Sequence, residues 1–162
     1  MQPLNPFRQS PGLCGPASLK ILLDHYGREF SEEELSELCD ATVEKGTDHV
    51  GLIKAANEIG EDPIAKDNAT IEELRELVEK EIPVIVGWYS EHGEPDDHYS
   101  VVYEVTDDMI SMMDPERDEG TLTMPISEFE KVWYDFEGSE RMRVERWMMA
   151  IPGLTKSGLT TN

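Results

Sequence analysis

Apolar residues recur at helical spacing through the first half of the chain and change to short runs and alternation after Lys80. Leu19, Leu22, Leu23 and Tyr26 form one stripe, which predicts a helix from Pro16 to about Tyr26, with Gly27 just past its end. A second helix is predicted from Ser31. Ser31 and Glu34 have the spacing of a capping box, Phe30 and Leu35 that of a hydrophobic staple, and Leu35, Leu38 and Cys39 share the inner face. A third is predicted over Asp48–Ile59, stopped by Gly60, and a fourth begins at Thr70, where Glu73 completes a second capping box. Ile82–Trp88 then reads as a buried strand. Ser90–Asp97 is polar and reads as a loop. His98–Tyr103 and Met109–Asp114 read as strands flanking the turn EVTDD. Thr121–Met124 is a further strand, Ile126–Trp133 a short helix and Arg141–Ile151 a last strand. Helices first and antiparallel strands afterwards define an α+β domain rather than an alternating βαβ one.

A length of 162 residues predicts a single domain over 1–154, with the Ser/Thr/Gly-rich tail 155–162 expected to be disordered. Two cysteines do not make a disulfide framework. No stretch reads as a signal peptide or approaches the roughly 20 apolar residues of a membrane span. The expectation is a cytoplasmic protein with reduced thiols. Thirty-five acidic residues against fourteen basic ones give a formal net charge of −21. That surface repels nucleic acid and anionic lipid and attracts cationic peptides, and it also serves solubility, including at high salt.

The candidate chemistry lies in QSPGLCGPASL, residues 9–19. Cysteine attacks as the thiolate, which the positive end of a helix stabilises. Cys14 stands where a loop turns into the first helix. Gly15, and Gly12 on the other side, remove bulk beside the sulfur and so let a substrate backbone approach. Gln9 on the incoming loop could donate its amide to a developing oxyanion, next to the Cys14 N–H. The alternative is a small core cysteine in a tight glycine turn.

The base is sought among His25, His49, His92 and His98. His25 and His49 read as surface or cap residues, and His92 sits in an acidic loop. His98 opens a strand and Asp114 closes the next. With Glu104–Asp108 as the turn, Tyr103 pairs with Met109 and His98 faces Asp114 directly, so that the carboxylate could fix the ring's tautomer. The alternative is a strand-end histidine beside a turn-forming Asp-Pro. Cys39 reads as core. His92, Asp96, Asp97 and His98 lack the spacing of a closed metal site, and no cofactor fingerprint is present. The methionines 109, 112 and 113 read as strand packing.

Together, Gln9, the CGPASL stretch from Cys14, HYSVVYEV and ISMMDP resemble the bacteriocin-processing, or double-glycine, family of papain-like cysteine peptidases. GTDHVGLIKAANEIG and IPVIVGWYS are similar to its third helix and first sheet strand, and the resemblance covers about residues 5 to 135. It implies a papain-like fold, a peptide or protein substrate, Cys14 as nucleophile, His98 as general base, Asp114 as its orienter and Gln9 as oxyanion donor. The gap of four residues between Gln9 and Cys14 is one shorter than the papain-like spacing. Family members are often the N-terminal domain of an ATP-driven peptide exporter, and nothing in the 162 residues reads as the transporter portion. Related folds carry out transpeptidation and deamidation, and inactive relatives hold peptides without cleaving them. These are the alternatives to hydrolysis through a thioester.

Overall fold

The computed structural model describes residues 4–42, 44, 46–90, 98–138 and 140–154. Helices α1 (Cys14–His25), α2 (Glu32–Leu38) and α3 (His49–Glu58) come first. They are followed by β1 (Ile64–Lys66), α4 (Ile71–Glu79), β2 (Val84–Trp88), β3 (His98–Val105), β4 (Met109–Met113), β5 (Thr121–Pro125) and α5 (Ile126–Val132). Strands β6 (Tyr134–Glu137), β7 (Met142–Glu145) and β8 (Trp147–Ala150) are the last elements among the described residues. Six strands form one antiparallel sheet in the order β1-β8-β2-β3-β4-β5, and β6 and β7 form a separate hairpin.

The sheet is covered on both faces. Leu19 and Leu22 of α1, Leu35 of α2 and Leu52 of α3 pack with Ile85, Tyr99 and Val101 on one side. Leu74 and Val78 of α4 and Phe129 of α5 pack with Val84, Val86, Trp88 and Val102 on the other. A strand buried on both faces cannot alternate apolar with polar residues, which is why VIVGW of β2 is buried throughout.

Both capping boxes form: Ser31 accepts from the Glu34 N–H and Thr70 from the Glu73 N–H. Each cap satisfies donors that would otherwise be orphaned, worth roughly 1 kcal/mol. Asp48 caps α3 by accepting from Gly51. Helix α1 differs from its expected start: it begins at Cys14, so Pro16 is its third residue, and no side chain caps it. The single strand expected over Arg141–Ile151 is two, because Arg146 has φ 51° and turns the chain from β6 to β2. Strands β1 and β6 lack a sequence signal of their own. Ile64–Lys66 is three residues long and mostly exposed, and it is held by pairing with β8. The expected loop Ser90–Asp97, apart from Ser90, and the tail at 155–162 lie outside the described residues. Among the described residues, no helix is long and apolar enough to cross a membrane.

Candidate active site

Cys14 occupies the first position of α1, 7% exposed. With no capping side chain before it, and with Ala17 N–H the first to bond back to Leu13 (3.0 Å), the positive end of the helix opens at the sulfur. Gly12 bends the incoming loop with φ 76°, a conformation natural to glycine. Gly15 does not clear a path for substrate, as its sequence position suggested. A Cβ there would lie 2.7 Å from the Thr47 Cβ, so the glycine instead lets the loop before α3 pack against the start of α1.

His98 opens β3 at the end next to Trp88 of β2 and is 1% exposed. Its Nε2 lies 2.5 Å from Asp114 Oδ1. The pair forms in a register other than the expected one. Val105 faces Ile110 and Val102 faces Met112, with a bulge between Val102 and Glu104, and β3–β4 pairing ends at Val101–Met113. The bulge matters because its extra residue resets which face each side chain takes. Had the turn-proximal register continued, Asp114 would lie opposite Val101 and point to the other side of the sheet. With the bulge it lies one step diagonally from His98 on the same face, within reach of the ring.

The carboxylate is held from several sides. Asp114 Oδ1 also accepts from Glu116 N–H at 3.1 Å, and Arg117 Nε is 3.6 Å from Oδ2. Burial raises the Asp114 pKa, but hydrogen bonding and charge from His98, the Glu116 amide and Arg117 outweigh it, so the carboxyl stays below its usual value. Burial likewise opposes charge on His98. Hydrogen bonding to Asp114 and Cys14 and the charges on both overcome it, raising the ring from 6.5 to about 10. Nε2 belongs to Asp114, which leaves Nδ1 for the sulfur. Nδ1 is buried with no well-formed hydrogen bond among the described residues. The Cys14 thiol is the neighbour that, with Asp114, favours the charged form of the ring.

Gln9 reaches the same region from the N-terminal arm. Its backbone N–H donates to the Pro115 carbonyl at 2.8 Å, and Arg8 pairs with Asp118 at 2.7 Å, strapping the arm to the loop that carries Asp114. The Gln9 Nε2 makes a long contact, 3.3 Å to Ser10 O, and Oε1 is buried with no hydrogen-bond partner among the described residues.

His49 is neither a surface nor a cap histidine. It is 5% exposed, stacked on Trp147 at 4.1 Å between ring centroids, with Nε2 2.5 Å from Asp135 Oδ2. Its backbone N–H donates to the Glu137 carboxylate at 3.1 Å. Burial raises both carboxyls, more than His49 lowers them. This second His–Asp pair clasps the start of α3 to β6 and neighbours Thr47, whose carbonyl accepts from Tyr99 Oη at 3.2 Å. Sequence reading missed it because Asp135 lies 86 residues from His49 in a segment without a strand pattern. Gly87 is the one local sign: a Cβ there would collide with the Asp135 carboxyl.

Cys39 is core, 2% exposed, with burial pushing its thiol up to about 12. Among the described residues no group of three His, Cys, Asp or Glu side chains is arranged to hold a metal, and His92, Asp96 and Asp97 lie outside them.

Residues 8–136 match the profile of the peptidase C39 family. The pediocin PA-1 transport/processing ATP-binding protein PedD of Pediococcus acidilactici is 32% identical over 124 residues, covering 74% of this chain and 16% of that protein. The lactococcin-G-processing and transport ATP-binding protein LagD of Lactococcus lactis subsp. lactis is 32% identical over 127 residues, 78% of this chain and 17% of that protein. The chain therefore spans about a sixth of these transporters' length. An uncharacterised protein of Methanothermobacter marburgensis is 37% identical over 109 residues, 67% of this chain and 69% of its own. The peptidase domain of Streptococcus ComA, a bifunctional ABC transporter involved in quorum sensing, superposes with a TM-score of 0.71 at 24% identity, covering 94% of this chain and 99% of that one. A double-glycine-motif protease from an AMS/PCAT transporter, solved with its leader peptide, gives 0.69 at 18% identity, covering 91% of each chain. With a cysteine at a helix start, a sheet histidine against it and this match across most of its length, the chain belongs to the peptidase C39 family of papain-like cysteine peptidases.

Proposed function

We propose that the protein hydrolyses a peptide bond with Cys14 as nucleophile, His98 as acid and base, Asp114 as the group that orients His98, and Gln9 as an oxyanion donor. The reading rests above all on the two-sided environment of His98: Asp114 at 2.5 Å on Nε2 and the Cys14 thiol as the neighbour that favours the charged ring. In the first step the thiolate adds to the scissile carbonyl. The developing oxyanion takes hydrogen bonds from the Cys14 backbone N–H and the Gln9 amide. His98 Nδ1–H gives its proton to the leaving amine, the C–N bond breaks and a thioester remains. The neutral ring then removes a proton from water, hydroxide adds to the thioester, and the acid and thiolate are released with His98 recharged. Asp114 stays ionised throughout, holding Nε2–H as donor so that Nδ1 serves the reaction.

By analogy with the double-glycine-motif protease solved with its leader peptide, the substrate in this reading is a leader-bearing peptide. The test is incubation of the purified chain with double-glycine leader peptides, read by mass spectrometry, with trapping of the acyl-enzyme by acid quench. An acyl adduct on Cys14 that is absent in Cys14→Ser supports the reading. Cleavage that survives Cys14→Ser refutes it.

A further inference from the structure

The loop that supplies Asp114 places a second carboxylate at the reacting end of His98. The Glu116 N–H donates to Asp114 Oδ1, which fixes the backbone there, and Glu116 Oε1 comes to 3.8 Å from His98 Nδ1. That separation is too long for a hydrogen bond but within ion-pair range. The Glu116 side chain is 15% exposed, whereas Asp118 in the same loop is 91% exposed and pairs with Arg8. A carboxylate shielded from water acts more strongly on its surroundings than an open one. Nδ1 itself is buried with no well-formed hydrogen bond among the described residues.

With the thiol ionised, three negative groups (Cys14, Asp114 and Glu116) face the His98 cation, and Arg117 lies 3.6 Å from Asp114 on its far oxygen. Such a site draws in a cation. Its position is also defined. Nδ1–H must come within about 3 Å of the leaving nitrogen to protonate it. The residue that departs therefore lies against the same atom that Glu116 faces.

We propose that Glu116 is a specificity-determining residue that selects substrates with positive charge on the leaving side of the scissile bond, a basic peptide segment. The inference rests on the catalytic roles given above to Cys14 and His98. The acidic surface of the protein, net charge −21, favours the approach of the same class of peptide but does not select its register.

The test needs no known substrate. Methanethiosulfonates carrying a trimethylammonioethyl, sulfonatoethyl or methyl group modify Cys14: the thiolate displaces methanesulfinate and forms a disulfide with the transferred group. Rates on the full chain are read by peptide mass mapping. The ratio of cationic to anionic reagent should fall about fivefold in Glu116→Gln at low salt, further in Glu116→Lys, and stay level in Glu119→Gln, an exposed neighbour. A ratio within twofold of the parent in both Glu116 variants, or an equal fall in Glu119→Gln, overturns the proposal. Modification of His98→Ala by the neutral reagent separates the two readings. If that rate matches the parent, the catalytic reading and this one fall together. If it drops while the charge ratio ignores Glu116, this inference alone falls.

Discussion

Gln9 and Pro115 are joined through their backbones, N–H to carbonyl at 2.8 Å, so the arm that leads to Cys14 is tied to the loop that follows Asp114. This link explains how an arm with only four residues between Gln9 and Cys14 is positioned. Pro11 and Gly12 restrict and bend it, and the Pro115 carbonyl anchors its start. Gln9→Ala keeps the backbone link and removes only the amide. Turnover should fall about 10²-fold or more while alkylation of Cys14 stays nearly unchanged, because an oxyanion donor acts on developing charge and not on the thiol. Wild-type turnover in this variant would assign the oxyanion to backbone N–H groups alone.

The two thiols should differ sharply in reactivity. Burial pushes Cys39 up to about 12, whereas Cys14 has a helix end and the His98 ring beside it. At neutral pH, iodoacetamide should label Cys14 at least about tenfold faster than Cys39 in the folded protein, and His98→Ala should remove most of that advantage. Mass mapping of the two peptides measures both rates. Equal labelling would mean that the sulfur and the ring do not act as a pair.

The charged site has a definite pH window. His98 is raised from 6.5 to about 10, so its contribution to stability is complete below about 6.5 and is lost as the pH rises through about 10. Asp114 is lowered, so its contribution is present above the usual carboxyl value and is lost as the pH falls through its depressed one. The difference in urea midpoint between the parent and His98→Ala should therefore shrink between pH 7 and pH 10. Asp114→Asn should move that decline toward lower pH, because the ring loses its main anionic partner. A midpoint difference that grows with pH would contradict the sign.

Gly87 and Asp135 offer a packing test of the His49 clasp. A Cβ at Gly87 would run into the Asp135 carboxyl, so Gly87→Ala should destabilise by about 2 kcal/mol or more. Asp135→Ala strands the His49 ring and should also destabilise. The double variant should be more stable than the sum of the two losses, because the second change removes the clash created by the first. Strict additivity in denaturant melts would show that the backbone, not the carboxyl, limits position 87.

Several elements followed directly from local chemistry. Ser31 with Glu34 and Thr70 with Glu73 are capping boxes whose partners lie three residues away, and the helices start where the boxes stand. The apolar run ending at Trp88 is a strand because β-branched residues without helical spacing have few alternatives. Cys14, His98 and Asp114 stand out as candidates by their type and setting: a thiol at a helix start, a histidine opening one strand, an aspartate following the next.

What the sequence determined, then, is what depends on neighbours along the chain: the capped starts of α2, α3 and α4 and the apolar runs of the central strands. What only the tertiary structure decided depends on contacts between distant segments. The bulge between Val102 and Glu104 sets which face Asp114 takes, and a one-residue shift leaves the sequence pattern of both strands almost unchanged. Thr47 fills the space at Gly15, a close approach between the loop before α3 and the start of α1 that composition does not reveal. Arg146 turns the chain between two sheets because β7 and β8 pair with different strands, not because arginine favours that turn. His49 meets Asp135 across 86 residues, and neither carries a local mark of the other. Short-range signals survive in the sequence because the chain itself holds those partners together. Long-range ones exist only once burial has ordered the sheet, and burial is a property of the whole fold.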